Sequence, residues 1–310
     1  MQDLPPILAA VGNTPTIRLT RIARRPDVRV LLKLEGQNPT GSMKDRMALG
    51  AILGPMRRGQ LTPGMTVVEY TGGSTGTSLA FVCAALGLPI TIVTSDAFSQ
   101  EKRDHMRALG ANVIELPSEG GRTTRELIQR MIAAAQDLAA RPQTYYVDQF
   151  NNPDAAAGYY PMAQELHEQA GTPIDLFVQS VGTAQCLTGA AHELRRTNPA
   201  VRIVAVEPAE SAVLAGGPPG PHKIEGVGPG FVPPRWRPEL AEQIVSVSTA
   251  DAKAMARRLA REEGIFAGTS TGANVVAALQ VAETLPSGST IATIACDTGL
   301  KYLSTDLYKG

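Results

Sequence analysis

Lys44 is the side chain with the most chemistry to offer. Residues 28–34 form an apolar, partly β-branched run that reads as a strand, and Asn38-Pro39-Thr40-Gly41 reads as a tight turn. Ser42 is suited to cap a helix running to about Arg58. Lys44 then sits in its first turn, sharing a face with Met47, Ala48, Ala51 and Ile52. On a buried face the ammonium is disfavoured and the amine becomes a better nucleophile. The same lysine could instead snorkel its charge to the surface from a helix end.

Three loops share one form: a strand end, small or hydroxyl residues, then a helix start. They are residues 71–75, 180–186 and 268–272. Loops of this kind gather at the carboxyl ends of parallel strands, and the amides at such helix starts bind anions. None is a G-x-x-x-x-G-K-[ST] loop, and no complete G-x-G-x-x-G signature is present. Gly226, Gly228 and Gly230 are spaced like its start, but Phe231-Val232-Pro233-Pro234 cannot begin a helix cleanly. An amine at Lys44, an anion cup of Gly182, Thr183, Ala184, Gln185 and Cys186, and a hydroxyl at Ser270 are what a pyridoxal phosphate site needs.

The elements that must position these groups alternate. Strands are expected at 28–35, 65–69, 89–94, 113–116, 145–147, 174–179, 201–207, 244–247 and 290–295. Helices are expected after Ser42 to about 58 and at 77–86, 99–109, 123–140, 158–169 and 184–195, with another capped near Ser248, Thr249 and Asp251 and one opening at 268–272. Ser99 is expected to cap its helix, and residues 148–153 to form a crossing loop. Residues 208–237, crowded with Pro and Gly, read as a long irregular segment near a site. The pattern implies an α/β protein with two mainly parallel, partly mixed twisted sheets flanked by helices. The expected smaller domain is 40–150, carrying Lys44 and the 71–75 loop. The larger is 1–39 with 151–310, carrying the cup and Ser270.

Composition narrows the class. The 310 residues are 43% hydrophobic and 19% charged, with 29 Lys plus Arg against 29 Asp plus Glu. That balance favours neither nucleic acid nor an anionic membrane as partner. The N-terminus lacks signal-peptide character, and the apolar run 79–93 is interrupted by Gly87 and Pro89. The three scattered cysteines, Cys83, Cys186 and Cys296, argue against a disulfide framework or a zinc site and fit a reducing cytoplasm. His105, His167 and His192 are expected to face solvent, while His222 lies in the irregular segment.

Over nearly its whole length the chain resembles the cysteine synthase and cystathionine β-synthase group of fold-type II pyridoxal-phosphate enzymes, which are similar to the tryptophan synthase β subunit. The resemblance rests on Val11-Gly12-Asn13-Thr14-Pro15, on Leu34 to Arg46, on Gln149-Phe150 with Asn152-Pro153, on Gly226 to Pro233, on Gly268 to Gly272 and on Asp297 to Leu303. It implies a β-replacement closest to that of cysteine synthase. Lys44 would hold the cofactor and take the α-proton of an activated serine, O-acetylserine by default. Sulfide or a thiol would then add to an enzyme-bound aminoacrylate. It further implies that Thr71, Gly72, Gly73, Ser74, Thr75, Gln149 and Gly228 bind substrate, that Ser74 also reaches the cofactor, and that Ser270 meets the ring nitrogen. A homodimer is implied, and a serine acetyltransferase tail is a partner to consider. Siblings using phosphoserine or homocysteine, a serine or threonine dehydratase, and a non-catalytic acetyltransferase partner are the alternatives.

Two departures stand out. The family's usual Thr-Ser-Gly-Asn-Thr is here Thr71-Gly72-Gly73-Ser74-Thr75, which suggests a wider pocket. Its usual Gly-Thr-Gly-Gly-Thr is Gly182-Thr183-Ala184-Gln185-Cys186, where Cys186 is a poorer donor than threonine.

Overall fold

A computed structural model describes residues 4–122 and 124–309. Among these the chain divides into two compact units, one of residues 4–11 and 44–158, the other of residues 12–43 and 159–309. Residues 4–11 thus go with the Lys44 unit rather than with the larger one, because the 3-10 turn Pro6–Ala10 packs in that unit.

The Lys44 unit is built on a four-stranded, all-parallel sheet. Its strands are β3 (Thr66–Tyr70), β4 (Ile90–Ser95), β5 (Asn112–Leu116) and β6 (Thr144–Tyr146), in the order β5-β4-β3-β6. Every residue of β4 is buried, the hydroxyl residues Thr91, Thr94 and Ser95 included, as expected of a strand covered on both faces. The unit's helices are α1 (Lys44–Arg57), α2 (Ser74–Leu86), α3 (Gln100–Ala108), α4 (Arg125–Ala139) and α5 (Pro153–Ala157). Helix α4 shows why amphipathic spacing succeeds: Leu127, Met131 and Ala135, four residues apart, bury one stripe against Val68, Tyr70 and Val93.

Helix boundaries differ from the sequence reading where capping chemistry goes elsewhere. Helix α1 begins at Lys44, two residues after Ser42, whose backbone forms an isolated antiparallel bridge with Asp297. Ser99 flanks α3, but its hydroxyl makes no capping bond. Thr124 caps α4 by accepting the Leu127 N–H, and Thr123 lies outside the described residues. The 148–153 segment is only partly loop. Asn152 accepts from the Asp154 amide and Pro153 occupies the first helical position, so α5 starts inside it.

The larger unit holds a six-stranded sheet in the order β1-β2-β10-β7-β8-β9. Its strands are β1 (Thr16–Arg18), β2 (Arg29–Leu34), β7 (Leu176–Ser180), β8 (Arg202–Pro208), β9 (Gln243–Val247) and β10 (Thr290–Ala295). Among the described strands of this sheet only the edge pairing of β1 with β2 is antiparallel. Helices α6 (Tyr160–Ala170), α7 (Gln185–Thr197), α8 (Thr249–Arg258) and α9 (Thr269–Ala282) complete it, α8 running on into a π-helical turn, Leu259–Glu263. Its core joins Leu32, Leu176, Val178, Val204 and Ile291 of the sheet to Ala252, Ala273 and Ala277 of α8 and α9. Residues 212–237 contain no helix or strand, as their Pro and Gly content implies.

Candidate active site

In the Lys44 unit, Lys44 is the first residue of α1 and is half-buried, whereas Met47, Ala48, Ala51 and Ile52 on its face are fully buried. The apolar face is as expected; the lysine itself is less enclosed, because a first-turn residue has no preceding turn to cover it.

The 71–75 loop leaves β3 and enters α2, whose first residue is Ser74. Ser74 is therefore helical and half-buried, not part of the loop proper. The loop folds tightly, the Gly73 amide donating to Thr71 Oγ1 at 3.1 Å. Gln149, 74 residues from Thr75 in sequence, reaches the same place: Thr75 Oγ1 donates to Gln149 Oε1 at 2.9 Å, and Gln149 Nε2 donates to the Tyr70 carbonyl at 3.0 Å. The expected widening at Gly72 does not occur. A Cβ there would lie 2.5 to 2.8 Å from three atoms of the Phe98 ring, so Phe98 occupies the space a longer residue would need. A Cβ on Gly73 would lie 2.6 Å from Lys102 Cδ.

Sequence reasoning did not single out Glu69, the next-to-last residue of β3. It is wholly buried, accepts from the Tyr70 amide at 2.9 Å and accepts from the Gln149 amide at 3.1 Å. Burial pushes its carboxyl up to about 8, against the opposing pull of those amides. A lone Glu in a strand carrying only apolar and β-branched neighbours was the available signal.

In the larger unit, Ser180 ends β7 and residues 181–184 lead into α7, so Gln185 and Cys186 are its first two residues. Ala184 takes φ 65, a left-handed conformation that turns successive amides toward one point, as in an anion nest. Gly182 is obligatory, since a Cβ there would lie 2.4 Å from the Gly226 carbonyl oxygen. The Gly228 amide donates to the Val181 carbonyl at 3.0 Å, which brings the glycine-rich loop against the cup. His222 holds that loop. Its Nδ1 accepts from the Ile224 amide at 3.3 Å, leaving Nε2 to donate to the Gly228 carbonyl at 2.9 Å. Of the other histidines, His105 and His192 are exposed and His167 is half-buried.

Ser270 is buried as the second residue of α9. Its neighbours are engaged: Thr269 Oγ1 accepts from the Glu225 amide at 3.1 Å and Thr271 Oγ1 from the Cys296 amide at 2.9 Å. One turn on, Asn274 ties α9 to the sheet. Its Oδ1 accepts from the Ser180 amide at 2.7 Å, and its Nδ2 donates to Gln179 Oε1 and to the Ile294 carbonyl, each at 2.9 Å. Thus one side chain spaces the Ser270 helix from the strand that feeds the cup. Gly268 packs against Asp297 and Tyr302, and the Tyr302 hydroxyl donates to Asp297 Oδ2 at 2.8 Å. Immediately before Lys44, the Met43 amide donates to the Cys296 carbonyl at 2.8 Å.

Two family motifs meet at a buried carboxylate. Thr14 Oγ1 donates to Glu35 Oε1 at 2.7 Å, Asn38 Nδ2 donates to Glu35 Oε2 at 2.9 Å, and Asn38 Oδ1 accepts from the Gly12 amide at 2.9 Å. The sequence marks both segments but not their joining, because the partners lie more than twenty residues apart.

The donor set suits a phosphorylated aldehyde. The cup offers helix-start amides, and the buried hydroxyls of Ser180 and Thr188 on either side of it find no partner among the described residues.

Comparison with known proteins agrees. A family model described as "Pyridoxal-phosphate dependent enzyme" matches residues 7–297. A cysteine synthase from Staphylococcus aureus is 40% identical over 304 residues, covering 97% of this chain and 96% of that protein. An O-ureido-L-serine synthase from Streptomyces lavendulae is 40% identical over 307 residues, covering 98% and 92%. The crystal structure of an O-acetylserine sulfhydrylase isoform from Entamoeba histolytica superposes with a TM-score of 0.92 at 38% identity, covering 98% of this chain and 91% of that one.

Proposed function

We propose, because the chain belongs to the pyridoxal-phosphate-dependent enzyme family, that it exchanges the β-substituent of an activated L-serine for sulfur. The default substrates are O-acetylserine and sulfide. The Cβ–O bond breaks, a Cβ–S bond forms, and acetate leaves as cysteine is made. When bound, pyridoxal phosphate supplies an electron sink for the α-carbon of the amino acid.

The chain's own residues have distinct tasks. Lys44 holds the cofactor by its amine and afterwards carries the proton from the substrate α-carbon. The cup of Gly182, Thr183, Ala184, Gln185 and Cys186 binds the phosphate through backbone amides, so the change to Gln185 and Cys186 leaves its donors in place. Ser270 faces the ring nitrogen. A hydroxyl does not hold that nitrogen protonated as a carboxylate would, which suits departure of a good leaving group. Thr71, Gly72, Gly73, Ser74, Thr75 and Gln149 grip the substrate carboxylate, and Gly228 is a further substrate-binding residue.

The observation that carries this reading is the buried hydrogen bond of Thr75 to Gln149, which joins two segments distant in sequence. The test supplies cofactor-loaded protein with sulfide and, in turn, serine, O-acetylserine and O-phosphoserine, repeats the series with homocysteine as nucleophile, and identifies products by mass. Cysteine from O-acetylserine and sulfide is expected. Turnover confined to another pair would overturn the default substrates.

A further inference from the structure

We propose that Glu69 is a positioning residue, fastening Gln149 to the strand end that carries the 71–75 loop. The inference rests on the reading that Gln149 and this loop bind the substrate carboxylate, and it concerns the group behind them. Glu69 itself is wholly buried within the sheet, so it acts through its neighbours.

The hydrogen bonds form a closed clamp. One carboxyl oxygen of Glu69 takes the Tyr70 amide and the other takes the Gln149 amide. The Gln149 side chain returns to the Tyr70 carbonyl and to the Thr75 hydroxyl. Beside it, the Tyr70 and Phe150 rings stack with centroids 6.3 Å apart. Preceding Gln149, Asp148 adopts φ 50, a left-handed conformation that costs a non-glycine residue on the order of 1 kcal/mol. The Glu69 bond to the next amide holds the chain in that turn.

The clamp needs a carboxyl. Two N–H donors converge on one side chain; both oxygens of a carboxyl keep a lone pair with which to accept, protonated or not, whereas a carboxamide turns an NH2 group toward one of the donors. Among the described residues, the ionisable groups that act on Glu69 are Asp148, Tyr70, Tyr145 and Tyr146, none of them a cation. The two amides are therefore its main support, and Gln149 is its link to the ligand.

The experiment compares Glu69→Gln and Gln149→Ala in cofactor-loaded enzyme, turning over O-acetylserine with sulfide. Losing one buried hydrogen bond of the clamp corresponds to roughly a tenfold loss in substrate binding. Glu69→Gln is expected to raise KM for the amino acid about tenfold while leaving kcat within about threefold. The double variant should be no worse than Gln149→Ala alone. Hydrogen exchange of the peptide spanning 147–152 should accelerate in Glu69→Gln without substrate. Glu69→Asp, too short to reach both amides, should behave alike. Unchanged KM in Glu69→Gln beside a raised KM in Gln149→Ala would overturn the clamp and leave the reading of Gln149 intact. Unchanged KM in Gln149→Ala would overturn that reading itself. If neither Glu69 variant folds, or if both lose kcat as heavily as KM rises, Glu69 is a core strut and the assignment fails.

Discussion

Replacing Gly72 by alanine tests the packing of the candidate carboxylate loop with one added methyl group. Gly72 lies outside the left-handed region, so its backbone accepts an L-residue and the cost must come from neighbours. The new carbon would fall 2.5, 2.8 and 2.8 Å from atoms of the Phe98 ring. Carbon contacts are favourable near 3.5 to 4.0 Å, so the ring or the loop must retreat by about 1 Å. Overpacking of this kind costs about 1–3 kcal/mol, offset by about 0.4–1 kcal/mol from the stiffer unfolded chain. The expected net loss is about 1–2 kcal/mol. In a Phe98→Ala background the ring is gone, and Gly72→Ala should become neutral or slightly stabilising. The coupling is then about 2 kcal/mol, within the range for residues in direct contact. Urea unfolding of the four proteins, followed by far-UV circular dichroism, measures it. An equal cost of Gly72→Ala with and without Phe98 would refute the claim that this ring fills the space.

Further outcomes follow from the same geometry. The folded Glu69 carboxyl, at about 8, keeps a proton that the unfolded chain releases near 4.5, so the folded state binds more protons between these values. Stability should therefore fall as pH rises from about 4.5 to about 8, by several kcal/mol at most, and level off above. Glu69→Gln should flatten that slope in denaturant titrations; an identical slope would show that the carboxyl does not titrate there. The Arg-paired carboxyls of Asp27 and Glu115 are held low and act only below this window. Gly182→Ala would drive a methyl to 2.4 Å from a backbone oxygen that cannot rotate away, and cofactor affinity should drop about tenfold or more by spectroscopic titration. Unaltered affinity would remove the cup from the phosphate site.

Local chemistry decided what the sequence disclosed. The apolar face of the Lys44 helix, the strand β4 and the helix α4 are signals carried within one element, and each stands in the structure close to where its pattern placed it, although Lys44 itself is only half-buried. Signals that need a second segment were hidden. Ser42 has the chemistry of a helix cap, but nothing near it foretells that its backbone also bridges to Asp297. Gly72 announces a close approach without saying that Phe98, 26 residues later, makes it. Glu69, Asn274 and His222 work through distant backbone groups, so nothing beside them in sequence reveals their partners. Helix α5 was overlooked because five residues are too few to show periodicity, although Asn152-Pro153 spells its start.

The central claim is that the Lys44 amine tethers pyridoxal phosphate. Borohydride reduction of the cofactor-loaded protein, followed by proteolysis and mass spectrometry, tests it directly. The account predicts a phosphopyridoxyl mass on the peptide containing Lys44, absent from Lys44→Ala, which should also lose turnover. A reduced adduct on another lysine, or full activity in Lys44→Ala, would contradict it.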